Sequence, residues 1–414
     1  MLSAPCIAII GTGDTKADEI SFLADNVRAH GGTPLLIDVS VLADPPYPVD
    51  YGREAIAAYA ETSIAEIIAL GDECAAMVEM ARGASALISD LNARGEINAL
   101  LALGGSMGTD LSLDVALALP IGMPKIIVST VAHSHLIPPE RIAPDLMMML
   151  WSGGLYGLNP LCRSVLGQAS AAITAAARVQ VSPSVRPLIG ITSLGSSCLS
   201  YMKLLKTPLE ERGYDVAIFH CTGMGGQAFE AIARTGGFAA VFDFCLQEVT
   251  NHAMGTAVSS GPNRLENAGL AGIPQIVAPG AVDLVDLPAW QPLPARFVGR
   301  QYHAHNRLLG SVTTTPDERA VVAQLIAEKL GRSNGRTAFL LPLRGLHAWD
   351  GIGRALHDAS ASSSFEVSVR ASLPHTIKLI EVDAHINDAE FAAVALSIFD
   401  QWVSEGVISQ GRAG

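Results

Sequence analysis

Two glycine-bearing loops, each set where a short apolar run hands over to a helical pattern, constrain the first half of this chain more than any other feature. The run Cys6-Ile7-Ala8-Ile9-Ile10 closes on Gly11-Thr12-Gly13-Asp14-Thr15-Lys16, and over residues 18–30 the apolar Ile20, Leu23 and Val27 fall on one helical face. Residues 34–39 read as a second strand, ending at Asp38, Val39 and Ser40, before a proline-rich loop over 42–51. Helical stretches follow over 64–94, then a strand over 99–103 that closes on Gly104-Gly105-Ser106-Met107-Gly108-Thr109. Further strands are expected at 125–129 and 146–150, and a helix at 159–179. Short apolar strands separated by helices predict a parallel sheet covered on both faces, an α/β fold.

Residues 181–187, Val-Ser-Pro-Ser-Val-Arg-Pro, interrupt this pattern, and after them it starts again. Strands are expected at 188–191, 216–219, 239–244, 275–278, 338–341 and 377–382. Helices are expected up to Gly213 and at 228–234, 317–330 and 388–402. A Ser/Gly loop at 193–197 and a second glycine-rich loop at 222–226 follow the first two of these strands. The expectation is two α/β domains, 1–182 and 187–414.

A net charge of −13, from 27 Lys+Arg against 40 Asp+Glu, repels phosphate backbones and anionic lipid, so no nucleic-acid or membrane-surface role is expected. No run approaches the ~20 apolar residues of a membrane span. The six cysteines, Cys6, Cys74, Cys162, Cys198, Cys221 and Cys245, form no Cys-x-x-Cys pair and read as free thiols of a cytoplasmic protein. The chain is apolar for one with few charges, and a stretch such as Met147-Met148-Met149-Leu150-Trp151 need not be buried internally, so a homodimer is expected; a large core in each half accounts for the same composition.

The two loops in the first half carry the chemistry. Backbone N–H groups at a helix start, with the positive end of the helix dipole, form a phosphate seat, and Thr12, Thr15, Ser106 and Thr109 add hydroxyls while Lys16 adds charge. The first loop lacks the Gly-Lys-Ser/Thr of a P-loop and the GxGxxG spacing; alone, it fits a tight turn as well as a phosphate site. Loops at the carboxyl ends of parallel strands converge on one crevice, and Asp38 stands where an acid often meets a ribose hydroxyl. Together these features point to nucleotide binding. His133 and His135, like His303 and His305, alternate along extended segments and so could share a metal, with His252, Asp383 and His385 as further ligands. The pairs sit in different domains without a nearby third ligand, which fits hydrogen-bonded loop histidines better. Arg264, His305, Asn306, Arg307, Arg344 and His385 follow expected strand ends, as an anion cleft requires; surface ion pairs explain any one of them equally well.

The segments IGTGDTK, LGGSMGT, LPIGMPKIIVSTVA, HCTGMGGQAFE, GPNRLENAGLAGIPQIV, LPLRG and EVDAHINDAEFA resemble the Tm-one-like ATP-binding domain family, from about residue 7 to 391. The resemblance implies two Rossmann-like domains, with ATP in the first and magnesium beside it. It implies a phosphate-loop role for Gly11, Thr12, Asp14, Thr15, Lys16 and residues 104–109, and places Asp38, Val39 and Ser40 near the nucleoside. Ala17, Met107 and His133-Ser134-His135-Leu136 depart from the family's usual pattern. The expected activity is ATP-dependent carboxylate activation or phosphoryl transfer. Lys16 would stabilise phosphate charge and Asp14 would hold magnesium, while His305, Arg344 and His385 would place an anionic acceptor. The rivals are a metal-dependent hydrolase or lyase built on the His-x-His pairs, and a non-catalytic nucleotide-sensing module.

Overall fold

A computed structural model describes residues 4–180, 184–195, 199–256 and 258–413. Residues 181–183 of the expected linker, and residues 196–198 with the end of the expected Ser/Gly loop and Cys198, lie outside the described residues. The chain forms two compact units, residues 1–182 and 183–414, each α/β around its own parallel sheet.

Unit 1 runs β1 (Cys6–Gly11), α1 (Ala17–Ala29), β2 (Thr33–Asp38), α2 (Arg53–Tyr59), α3 (Ile64–Ala69), α4 (Glu73–Ala93), β3 (Ala99–Gly104), α5 (Ser106–Leu117), β4 (Lys125–Ser129), β5 (Met147–Leu150) and α6 (Pro160–Ala176). Its strands lie in the order β2-β1-β3-β4-β5, all parallel. Alternate residues of β1 feed two cores: Ile7 and Ile9 pack with Leu23 of α1 and Leu166 of α6, while Ala8 and Ile10 pack with Met80 of α4 and Leu111 of α5. This two-sided burial is why the strands read as continuous apolar runs. Strand order reverses between β1 and β3, so the loops after these two strands flank the switch point, where open α/β sheets bind ligands.

The second glycine loop is shorter than expected. Gly104 ends β3, Gly105 is the N-cap, and Ser106 already opens α5. A Cβ on Gly104 would lie 2.5 Å from the Gly108 backbone, so strand and helix meet this closely only because Gly104 lacks a side chain. Helix α3 starts with a Ser63/Glu66 capping box, Gly71 at φ +62° follows its end, and Asp72 caps α4 through the Ala75 N–H. Edge strand β5 leaves Met147 and Leu150 exposed.

Unit 2 runs β6 (Leu188–Ser193), α7 (Leu199–Glu211), β7 (Asp215–His220), α8 (Met224–Arg234), β8 (Ala240–Cys245), α9 (Gln247–Ala253), α10 (Asn267–Leu270), β9 (Gln275–Gly280), β10 (Leu284–Pro288), β11 (Tyr302–Ala304), β12 (Leu309–Thr313), α11 (Pro316–Gly331), β13 (Thr337–Pro342), α12 (Ala359–Ser372), β14 (Lys378–Val382) and α13 (Ala389–Ser404). The large sheet is parallel in the order β14-β13-β9-β8-β6-β7, and β10-β12-β11 form a small antiparallel sheet. The small sheet and α12 have no counterpart among the sequence expectations. Strand β11 is three residues long, and α12 is serine-rich, holding its place through Ala361, Phe365 and Val369 at four-residue spacing. Among the described residues no helix is long and apolar enough to cross a membrane. Cys162, Cys221 and Cys245 are buried free thiols, Cys6 is half-buried, and Cys74 is exposed.

Candidate functional site

A pocket of about 580 Å³ opens at the switch point of unit 1. Its polar end is Thr12, Asp14, Thr15 and Lys16 from the first loop and Gly104, Gly105, Ser106, Met107 and Gly108 from the second. Its apolar end is Val39, Val41 and Leu42 after β2, with Ile67 and Ile68 of α3 and Ala76 and Met77 of α4. Asp72 and Glu73, at the start of α4, also line it. Leu42 is 82% exposed and Ile68 46%, apolar surface that a flat ring would cover.

The two helix starts are not equivalent. Both lack a side-chain cap, so the first amides of each have no partner within the helix. The first turn of α1 contains Asp18 and Glu19, which offset the dipole; that of α5 contains no acid. An anion is therefore held best on Ser106, Met107 and Gly108. Met107 lines the pocket with its side chain 42% exposed. The Lys16 ammonium lies 5.0 Å from the ring centroid of Tyr156.

Other residues singled out in the sequence support the pocket from beneath and do not line it. The Asp38 Oδ1 accepts the Gly13 N–H at 2.8 Å and the Ser40 hydroxyl at 2.6 Å, and Ser40 Oγ accepts the Asp14 N–H at 3.0 Å. Asp38 thus ties the first loop to the end of β2 rather than facing a ribose. Burial holds its carboxyl above the usual range in spite of these donors, and the same burial, with the Asp38 and Glu19 carboxylates, pushes Tyr47 up to about 12. Thr109 is buried, with its hydroxyl 2.7 Å from that of Ser129. Gly11 and Gly13 are packing positions: an added Cβ would lie 2.9 Å from Ile20 and 2.7 Å from Pro45. The Asp14 Oδ1 is buried without a hydrogen-bond partner, and its residue lines the pocket, so the donor set has a vacant carboxylate oxygen for a hard cation.

Unit 2 repeats the glycine device with a different outcome. The loop before α8 has Gly223 at φ +95°, and the Gly223 and Gly226 N–H groups donate to Glu248 Oε1 at 2.6 and 3.2 Å. Glu248 is fully buried and also accepts from Arg264 Nε at 2.9 Å. Arg264 pairs bidentately with Asp243 and lies 3.3 Å from Glu230, whose carboxyl burial pushes up to about 7. The anion seat of α8 is thus filled by the chain's own carboxylate.

The unit 2 residues expected to form an anion cleft are dispersed. Arg264 is interior, Arg344 makes an exposed bidentate pair with Asp383 at 2.7 and 2.8 Å, and the Asn306 side chain shapes a turn through the Leu308 and Leu309 N–H groups. His385 accepts the Asn387 N–H on Nδ1 and bonds the His347 carbonyl through Nε2, so neither nitrogen is open. His305 is exposed. The His-x-His pairs do not assemble a metal centre: His133 and His135 are exposed, and the His303 and His305 ring centroids are 6.4 Å apart. Among the described residues one His/Cys/Asp/Glu group has ligand atoms all within 4.8 Å, Asp283, His347 and Asp350, and it contains neither pair. His347 Nε2 already meets Asp283 at 2.9 Å, its Nδ1 accepts the Trp349 N–H, and Asp350 accepts two backbone N–H groups.

The apolar wall of the unit 1 pocket was the part sequence reasoning missed. Its signals were an exposed leucine, Leu42, in a polar loop and the Gly71-Asp72 break inside an otherwise helical stretch.

Residues 5–182 match the model of the uncharacterised protein family (UPF0261) N-terminal domain, and residues 186–403 that of its C-terminal domain. A UPF0261 protein of Brucella melitensis is 57% identical over 99% of this chain and 98% of its own length. One of Clostridium tetani is 32% identical over 93% of this chain and 96% of its own. The ToMV susceptible protein tm-1(GCR26) of Solanum lycopersicum is 28% identical over 96% of this chain and 56% of that protein, in agreement with the resemblance read from the motifs. The chain belongs to the UPF0261 family, its two units matching that family's N-terminal and C-terminal domains.

Proposed function

We propose that unit 1 binds ATP, or a nucleotide very like it, with magnesium, in the pocket at its switch point. The observation that carries this reading is the pocket's two-ended chemistry. One end offers uncapped helix amides, hydroxyls and a lysine; the other offers an apolar slot of Val41, Leu42, Ile67, Ile68 and Met77. Triphosphate charge suits the first end and a base suits the second. Asp14, through its unpartnered oxygen, and Thr12 or Thr15 would hold magnesium, which would neutralise phosphate charge when bound. Lys16 needs only to leave the face of Tyr156 to reach a phosphate, because an exposed cation–π contact is worth about 0.5–1 kcal/mol.

Of the residues expected to place an anionic acceptor, Arg344 and His385 are engaged in other contacts and His305 is exposed, so the proposal stops at nucleotide binding. Calorimetry and thermal shift with Mg-ATP test it directly. Saturable binding is expected; if wild-type protein gives neither heat nor shift while Met107→Gly gives both, Met107 has closed the site, and if neither protein binds the reading is wrong. A turnover assay on the same samples separates an ATP-dependent enzyme from a nucleotide-sensing module.

A further inference from the structure

A second cavity, of about 310 Å³, lies in unit 2 at the amino ends of β13 and β14, the opposite edge of the large sheet from its glycine-rich loop. That volume is at the lower end for small-molecule sites. One side of the cavity is apolar. Leu330, in the last turn of α11, and Ile377, just before β14, meet Ile398 and Trp402, which are four residues apart and so share a face of α13. All four are buried side chains, yet each also lines the cavity.

The other side is polar, and most of its groups are already committed. Buried Gln275 donates through Nε2 to Ser333 Oγ at 3.1 Å and to Thr337 Oγ1 at 2.9 Å, and both hydroxyls lie 3.0 Å from the Gly335 carbonyl oxygen. Arg336 lies 5.3 Å over the Trp402 ring and pairs through Nη1 with Glu405, whose other oxygen accepts from Gln401 Nε2 at 2.7 Å. Lys378 is different. It lines the cavity and is exposed, and among the described residues its ammonium has no hydrogen-bond or ion-pair partner; the Trp402 indole N–H likewise has none. The Glu405 carboxyl is held below its usual range by hydrogen bonds from Gln401 and Arg336 and by the charges of Arg336 and Lys378, so both cations act on one place.

The chemistry narrows what fits. Two cations at the cavity disfavour a metal ion. Glu405 answers one of them, which leaves a single positive charge for a ligand and disfavours a dianion such as phosphate. An inorganic anion would also leave the side made by Leu330, Ile377 and Ile398 uncovered. The open groups are donors, an ammonium and an indole N–H, and a carboxylate accepts from both. In a chain of net charge −13, a cavity with one unanswered cation and an apolar wall suits an amphipathic monoanion.

We propose that this cavity of unit 2 is a binding site for a small monocarboxylate with an apolar body, the carboxylate on Lys378 and the body against Leu330, Ile377 and Ile398. The inference is independent of nucleotide binding in unit 1.

The test titrates the full chain with benzoate and with 4-methylpentanoate, each beside its neutral amide. At least one of the two carboxylates gives saturable heat in the millimolar range, and its amide binds about tenfold more weakly or worse. Lys378→Met, at an exposed position where the fold is not at stake, weakens that carboxylate about tenfold or more, and Lys378→Arg retains it. Lys16→Ala, which removes the cation of the unit 1 pocket, leaves carboxylate binding as in wild type. A crystal soaked in the binding carboxylate carries it within hydrogen-bond reach of Lys378. The proposal is overturned if neither carboxylate binds, or if the amide binds as tightly as its acid. It is overturned equally if Lys378→Met leaves binding intact, or if Lys16→Ala abolishes it.

Discussion

Replacing Ser106 by aspartate separates two roles of the same helix start. Ser106 is the first residue of α5, exposed, at the polar end of the unit 1 pocket, and the first turn of α5 contains no acid. In the free protein a carboxylate there interacts favourably with the helix dipole, by about 0.3–1 kcal/mol. For a unit of 182 residues that is a rise in melting temperature of about 1–4 °C. With nucleotide present the sign reverses. A carboxylate about 4 Å from a phosphate charge costs about 1 kcal/mol in bulk water and about 4 kcal/mol at an effective dielectric constant of 20. Affinity for Mg-ATP therefore falls between about 5-fold and about 1000-fold, toward the lower end because the position is exposed. Calorimetry with Mg-ATP and a melt without nucleotide read the two effects separately. Thr109→Val is the control: its hydroxyl faces Ser129 inside the protein, so it lowers stability by about 1 kcal/mol and leaves affinity unchanged. Wild-type affinity in Ser106→Asp, with the expected gain in stability, would refute the seat on α5.

Gly226→Ala places a Cβ 1.8 Å from Glu248 Oε2, so the buried Glu248–Arg264 contact breaks; unit 2 should lose about 3–5 kcal/mol in denaturant unfolding, and a loss below about 1 kcal/mol would show that the carboxylate does not fill that loop. Burial raises Asp286 from 3.8 to about 6, while Ser311, Gln247 and His305 pull it down and Glu248 pushes it up. A raised acid binds more protons folded than unfolded, so its contribution, about 3 kcal/mol, is present below pH ~4 and lost as pH rises through about 6. Asp286→Asn should remove that loss, gaining stability over wild type at pH 7 but not at pH 4; equal differences at both pH values would contradict the raised value. Each unit has its own core, so residues 1–182 and 183–414 expressed separately should each unfold cooperatively, and a molten fragment from either would count against two independent units.

The succession of strands in the two parallel sheets could be read from the sequence because buried parallel strands are continuous apolar runs, and glycines mark where several of them hand over to a helix. Which polar residues face the pocket could not be read. Asp38, Ser40 and Thr109 have the right residue types at the right strand ends, yet their hydrogen bonds run inward, to Gly13, Asp14 and Ser129. Residue type fixes what a side chain can donate or accept; only three-dimensional placement decides to whom. The apolar wall was hidden for a related reason. Ile67 and Met77 have the same periodicity as core residues of an amphipathic helix, and both are in fact mostly buried, so nothing local marks the edge they present to the pocket. The small sheet escaped because β11 has three residues and the long 289–301 connection separates it from β10.

The two glycine-rich helix starts, one in each unit, have opposite fates, and the difference bears on where a ligand can act. A phosphate arriving at α8 would have to displace Glu248, a carboxylate fixed by covalent connection at the amides it occupies. Displacement would also strip Arg264 of one partner in an interior from which water is excluded. An uncompensated buried charge costs several kcal/mol before any phosphate contact is made, more than a few amide hydrogen bonds return. The carboxylate moreover requires Gly226, since any side chain there would collide with it. In unit 1 the corresponding amides of α5 face a pocket, and the nearest acid built into the loops, Asp14, has an oxygen turned to no partner. Unit 2 has converted an anion seat into a structural clamp. The same glycine-rich helix start thus faces an open pocket in unit 1 and is closed by the chain's own carboxylate in unit 2.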